Sequence, residues 1–199
     1  MTGTWMLSPG DRISWSLSDS CGKCDECRVH RLPAKCDDLR KYGHARLDTG
    51  AAMSAWSGCY ATHILLTRGT HVTKLPSREA LPDTYVAPAN CALATVANAL
   101  DVQRMPRYGY NSSAVVQGAG LLGIYAVAWL KHMVHMSQVF VVDKNEDRLR
   151  LAEAFGGIPL RIEGDNFDDR EREIRNVCPR GVDILVERFD IEPFFFSAK

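Results

Sequence analysis

Four cysteines stand close together, as Cys21-x2-Cys24-x2-Cys27-x8-Cys36. Two-residue spacings let neighbouring sulfurs reach one metal across tight turns, and four thiolates satisfy tetrahedral zinc. A site closed by four thiolates leaves no position for a substrate, so its expected role is structural. Structural zinc binds with an apparent free energy on the order of 10–16 kcal/mol, ample to order a loop-rich lobe. Gly22 permits the unusual backbone angles that such a turn needs. A nucleic-acid zinc ribbon sets its cysteines as two C-x2-C pairs roughly 15–20 residues apart, a different pattern. Cys59, Cys91 and Cys178 are scattered. An odd total, without a secretory leader, argues for a reducing compartment, and we expect a cytoplasmic protein.

The second constellation is Gly118-Ala119-Gly120-Leu121-Leu122-Gly123. Alone G-x-G-x-x-G says little, but here it follows an apolar strand and opens an apolar helix, the context that dinucleotide binding requires. Gly118 makes the tight turn, Gly120 lets a pyrophosphate approach the backbone, and Gly123 lets the helix pack closely. The helix start, with Leu121 and Leu122, offers N–H groups and partial positive charge to phosphate. Asp143 follows 20 residues after Gly123. A carboxylate there accepts from ribose hydroxyls and repels a 2′-phosphate, which favours NAD over NADP. Lys144 weakens that preference.

The elements that must position these groups fall into two styles. Residues 1 to about 85 are β- and loop-rich: Pro9–Leu17 reads as a turn and a strand with period-2 alternation, and Gly58–Leu66 and Thr70–Leu75 as further strands. Residues 18–50 form the cysteine lobe and have no clear period. Ala89–Val102 reads as a helix. Strands and helices then alternate: Ala114–Gln117, Leu121–His132, Gln138–Val142, Asn145–Phe155 capped by Gly156, Pro159–Ile162, Asp168–Val177 and Val182–Val186. That alternation predicts a parallel, doubly wound α/β sheet. The tail 188–199 breaks the pattern. We expect a β-rich domain over 1–92 and a partial dinucleotide-binding domain over 93–199.

Composition excludes several classes. Lys plus Arg is 24 and Asp plus Glu is 24, so the formal net charge is zero, and no basic excess supports nucleic-acid binding. The longest mostly apolar stretch, 114–130, is interrupted by Gln117 and three glycines and falls short of the roughly 20 apolar residues of a membrane span.

GDRISW, CGKCDEC with Cys36, GCYATHILL, VVQGAGLLG and VVDKNEDRLRLA occur in that order. In this the chain resembles the zinc-containing medium-chain alcohol dehydrogenases. KCDDLRKYGH, SGCYATH, PANCALATV and VQGAGLLGIYA are similar to the subgroup associated with phosphonate catabolism. The resemblance implies a partial GroES-like β-rich catalytic domain with a zinc lobe, followed by a partial Rossmann domain. It implies Zn2+ and NAD as cofactors, a small-molecule alcohol as substrate, and a homo-oligomer. It assigns Cys21, Cys24, Cys27 and Cys36 to structural zinc, Cys91 to a catalytic zinc, and Thr95 to a contact with the nicotinamide ring.

The family also carries an upstream cysteine and a Gly-His-Glu motif, neither of which is in this sequence, and it continues beyond a fourth strand. The expectation is therefore a chain truncated at both ends, dehydrogenase by descent and poorly active as written. The alternative from another class is a non-catalytic, zinc-stabilised interaction module derived from that family.

Overall fold

The computed structural model describes residues 7–44, 56, 58, 60–67, 70–101, 108, 111–163 and 167–187. The chain divides into two compact units, Met1–Cys91 and Ala92–Lys199.

In the first unit, β1 (Ile13–Trp15) pairs antiparallel with β4 (Val72–Lys74), and β2 (Ser18–Asp19) with β3 (Arg40–Lys41). Between β2 and β3 run a helical turn, α1 (Asp25–Arg28), and a 3-10 turn, Pro33–Lys35. Of residues 7–44 only Cys36 and Tyr42 are buried. Such a segment has almost no apolar burial to set against its ordering entropy. Charge pairs brace the rest: Arg12 donates to the Leu81 carbonyl at 2.9 Å and to Asp83 at 2.6 Å, and Lys74 pairs with Asp11 at 2.7 Å. Asp83 opens a second short helix, α2 (Asp83–Val86).

Two sequence expectations are corrected here. The described residues of Gly58–Leu66 form no strand, although the run is apolar. A β-strand exists only with a ladder partner, and Leu65 N donates instead to the Trp56 carbonyl at 2.9 Å. The helix expected over Ala89–Val102 is a π turn at Ala89–Leu93 followed by α3 (Ala94–Ala99). Within the turn, the Asn90 carboxamide donates to the Trp15 carbonyl at 3.2 Å, a tie to β1.

The second unit is a four-stranded parallel sheet of β5 (Ser113–Gln117), β6 (Gln138–Asp143), β7 (Ile158–Arg161) and β8 (Ile184–Val186). Their order across the sheet is β7-β6-β5-β8. Counted within the unit this is 3-2-1-4, the doubly wound order that reverses beside its first strand. Both faces are covered. Ala114, Val116, Val139 and Val141 pack with Ala126, Val127 and Leu130 of α4 (Leu121–His132) and with Leu149 and Ala152 of α5 (Glu146–Ala154). Val115, Phe140 and Val142 face the other way, toward Ile174 of α6 (Phe167–Val177). Burial on both faces is why these strands read as continuous apolar runs rather than alternating ones.

Candidate metal centre and nucleotide-binding turn

The loop between β2 and β3 gathers the four cysteines. Their sulfurs all lie within 4.8 Å of one another, and Cys24 Sγ is 3.9 Å from Cys36 Sγ. Sulfurs around tetrahedral zinc, with bonds of about 2.3 Å, stand about 3.8 Å apart. The donor set therefore fits zinc. Gly22, at φ +67°, turns the chain through the left-handed region between Cys21 and Cys24, whose sulfurs both belong to the cluster. Backbone N–H groups of Lys23 and Cys24 each donate to Cys21 Sγ at 3.4 Å, and Cys21 N donates to Cys36 Sγ at 3.2 Å. The Lys23 and Cys24 N–H groups pull the Cys21 thiol down to about 6, whereas burial and the neighbouring Cys24 thiol push Cys27 up to about 11. Metal binding must expel the remaining thiol protons. His30 and His44 are outside the cluster; His44 Nδ1 lies 3.0 Å from the Tyr42 carbonyl.

Immediately before this loop is a clamp the sequence did not announce. Asp19 Oδ2 accepts from the hydroxyls of Tyr42 at 2.6 Å, Thr67 at 2.7 Å and Thr70 at 2.6 Å. Burial raises the Asp19 pKa, but the hydroxyls of Thr70, Tyr42 and Thr67 more than offset it, so the carboxyl sits below its usual range. The partners lie 23 to 51 residues away, and no local pattern links them.

In the second unit the glycine turn joins β5 to α4. Gly118 has φ +92°, and its N–H donates to the Val142 carbonyl at 2.8 Å. A Cβ on Gly120 would meet nothing within 4 Å, so the backbone there is open to an approaching group. A Cβ on Gly123 would lie 1.8 Å from the Gly118 carbonyl oxygen. The close approach that needs this glycine is thus to the turn itself more than to the strand. Gly120 caps α4 without a side-chain hydrogen bond, and the first helical N–H groups have no intrahelical partner. The residues fit an anion at this end.

Asp143 ends β6 and is 7% exposed. Its Oδ2 accepts from Ala119 N at 2.7 Å and its Oδ1 from Asn145 N at 2.8 Å. A carboxylate has about four acceptor positions, so both oxygens retain capacity for ribose hydroxyls. Lys144 and Leu121 are exposed, and Leu122 is half-buried against the core. Gln117, the last residue of β5, is also buried, with neither carboxamide atom partnered.

Cys91 is exposed in the π turn, and Thr95 is exposed on α3. Among the described residues the cysteine quartet is the sole group of three or more potential metal ligands, so no ligand set assembles on Cys91. Cys178 is buried against the α6 face; Cys59 and the tail 188–199 lie outside the described residues.

No protein-family model matches the chain. It is 27% identical over 191 residues to the 5-exo-hydroxycamphor dehydrogenase of Pseudomonas putida, covering 95% of this chain and 49% of that protein. It is 27% identical over 187 residues to the L-threonine 3-dehydrogenase of Proteus mirabilis, covering 94% and 48%. The crystal structure of an alcohol dehydrogenase from Thermotoga maritima superimposes with a TM-score of 0.74 at 31% identity, covering 90% of this chain and 48% of that one. The chain thus spans about half the length of the relatives it matches. With the 3-2-1-4 sheet, the glycine turn and the thiolate quartet in one chain, these likenesses make it similar to about half of a zinc-containing medium-chain alcohol dehydrogenase.

Proposed function

We propose that the chain carries the structural-zinc lobe and the NAD site of an alcohol dehydrogenase acting on a small-molecule alcohol. The observation that carries this reading is the β5–α4 turn, with Gly120 open to an approaching group and Asp143 beside it. The turn's N–H groups and the α4 terminus would hold the pyrophosphate, and Asp143 would take the adenosine ribose and disfavour a 2′-phosphate. Thr95 would bear on the nicotinamide ring. Bound NAD supplies the acceptor for a hydride leaving the carbinol carbon. Cys21, Cys24, Cys27 and Cys36 would hold structural zinc, which orders the lobe and takes no part in the reaction. Cys91 would contribute one thiolate to a catalytic zinc. Three protein ligands and an open position are what such a site needs. The described residues do not assemble them.

The relatives named above act on different alcohols by their names, and they do not single out the phosphonate-associated subgroup. A homo-oligomeric, cytoplasmic setting accompanies the proposal. No helix among the described residues is long and apolar enough to cross a membrane. The test is metal analysis with NADH titration of the purified chain. One zinc with saturable NADH binding supports the reading. Zinc without NADH binding favours the non-catalytic module, and neither overturns both.

A further inference from the structure

We infer that Gln117 is a specificity contact for the adenosine half of the dinucleotide, its carboxamide hydrogen-bonding the adenine edge. This rests on the NAD reading above. Gln117 is 3% exposed, and both Oε1 and Nε2 are buried without a partner. Buried polar atoms are nearly always satisfied, and leaving both ends of an amide unpaired is costly. The preceding strand residues, Ala114, Val115 and Val116, are apolar and fully buried, so packing alone would be met by an apolar residue here too.

Position points to the missing partner. Gln117 is the last residue of β5, directly before Gly118, at the carboxyl end of the sheet. On one side it pairs with Val142 of β6. On the other, the Val116–Val186 pairing brings it level with the end of β8. The strand order reverses between β5 and β8, and dinucleotides lie in the crevice outside that point. Alternation along β5 gives Gln117 the same face as Val115, the α6 side. Its partner Val142 immediately precedes Asp143, the residue that would take the adenosine ribose, so Gln117 stands on the adenosine side of the pyrophosphate turn. A carboxamide presents a donor beside an acceptor, matching the amino group and adjacent ring nitrogen of adenine, the pairing Gln makes with that base elsewhere. The amide is enclosed, so contact with the base requires the side chain to turn toward the crevice.

The test uses the zinc-loaded 199-residue chain and Gln117→Met, apolar and of similar length, with Gln117→Leu as a second apolar replacement. Thermal midpoints without ligand should hold or rise. Affinity for NADH and for ADP-ribose should fall about tenfold together, with reduced nicotinamide mononucleotide unaffected. The unmodified chain should prefer NADH over its 1,N6-ethenoadenine analogue, whose base edge is blocked, and the variants should lose most of that preference. Unchanged NADH affinity in both variants overturns the inference and leaves the NAD reading standing, since the amide is then satisfied internally. A loss confined to the mononucleotide, or an ethenoadenine preference that survives, also overturns it. Failure of the unmodified chain to bind any dinucleotide removes the NAD reading and this inference with it.

Discussion

Alanine at Gly120 and at Gly123 should separate binding from folding. Gly120 has φ −73° and ψ −176°, extended backbone open to any residue, and its Cβ would touch nothing within 4 Å. Replacing an N-cap glycine by alanine costs about 0.5–1 kcal/mol. The lower entropy of the unfolded chain returns about 0.4–1 kcal/mol. The net change in stability is within about 0.5 kcal/mol of zero. The new methyl nevertheless fills the space through which a pyrophosphate would reach the backbone. Blocking one hydrogen bond to a charged group costs about 1.5–3 kcal/mol, so NADH affinity should fall roughly ten- to a hundredfold. At Gly123 the Cβ would sit 1.8 Å from the Gly118 oxygen and 2.9 Å from its carbonyl carbon, both backbone atoms that cannot rotate away. The start of α4 would have to move by more than an ångström, pulling on the Gly118–Val142 and Ala119–Asp143 hydrogen bonds. Gly123→Ala should cost on the order of 3 kcal/mol and lower the melting point by about 10 °C or more. Denaturant unfolding followed at Trp129, with NADH titration by fluorescence, reads both effects. Native NADH affinity in Gly120→Ala, or native stability in Gly123→Ala, would refute the reasoning.

Cys24→Ser should abolish stoichiometric zinc by chromogenic chelator assay and expose residues 21–41 to limited proteolysis, since that stretch buries only Cys36; zinc retained by the serine variant would contradict the quartet. Asp143→Asn keeps one acceptor of the two now in use but loses the charge, so the preference for NADH over NADPH should narrow about tenfold. An unchanged ratio of affinities would remove Asp143 from cofactor selection. The Arg12 guanidinium, hydrogen-bonded to Asp83, holds that carboxyl below its usual range. A depressed carboxyl contributes stability that is present above its unfolded pKa and lost as pH falls through the folded one. Asp83→Asn should therefore flatten the acid limb of the first unit's stability below about pH 4, and equal slopes in the two proteins would exclude the pair. Asp19→Asn should destabilise the first unit by about 1–3 kcal/mol, because three hydroxyls lose a common charged acceptor.

What could be read from the sequence was what is local. The Cys spacing is dense enough to name a metal by itself. The helix read from Asn145 begins one residue later, at Glu146, because the Asn145 side chain accepts from Arg148 N as the N-cap. Gly156, ending that helix at φ +88°, is legible for the reason that few other residues adopt that angle. Failures came where a partner was remote. An apolar run such as Gly58–Leu66 carries β propensity without saying whether a neighbouring strand is on offer. The Asn90–Trp15 tie spans 75 residues, and the Asp19 hydroxyls reach across up to 51. Gln117 was legible only as an interruption of an apolar stretch; that its amide is buried and unpartnered depends on which strands flank β5.

Asp143 shows why cofactor choice and turn geometry are not independent in this unit. The carboxylate that would discriminate against a 2′-phosphate is the one that accepts Ala119 N, and so helps fix the glycine turn. Its other oxygen holds Asn145 N, where α5 is capped. Neutralising it changes the charge facing the ribose and weakens the hydrogen bond that positions the phosphate-binding N–H groups. A charge-removing substitution there should thus lower affinity for both dinucleotides while narrowing their ratio. Charge introduced at exposed Lys144, next in sequence and off the turn, should move the ratio alone. If Lys144→Glu depressed binding of NADH and NADPH equally, selection would not run through charge at this edge of the sheet, and the role given to Asp143 would reduce to holding the turn.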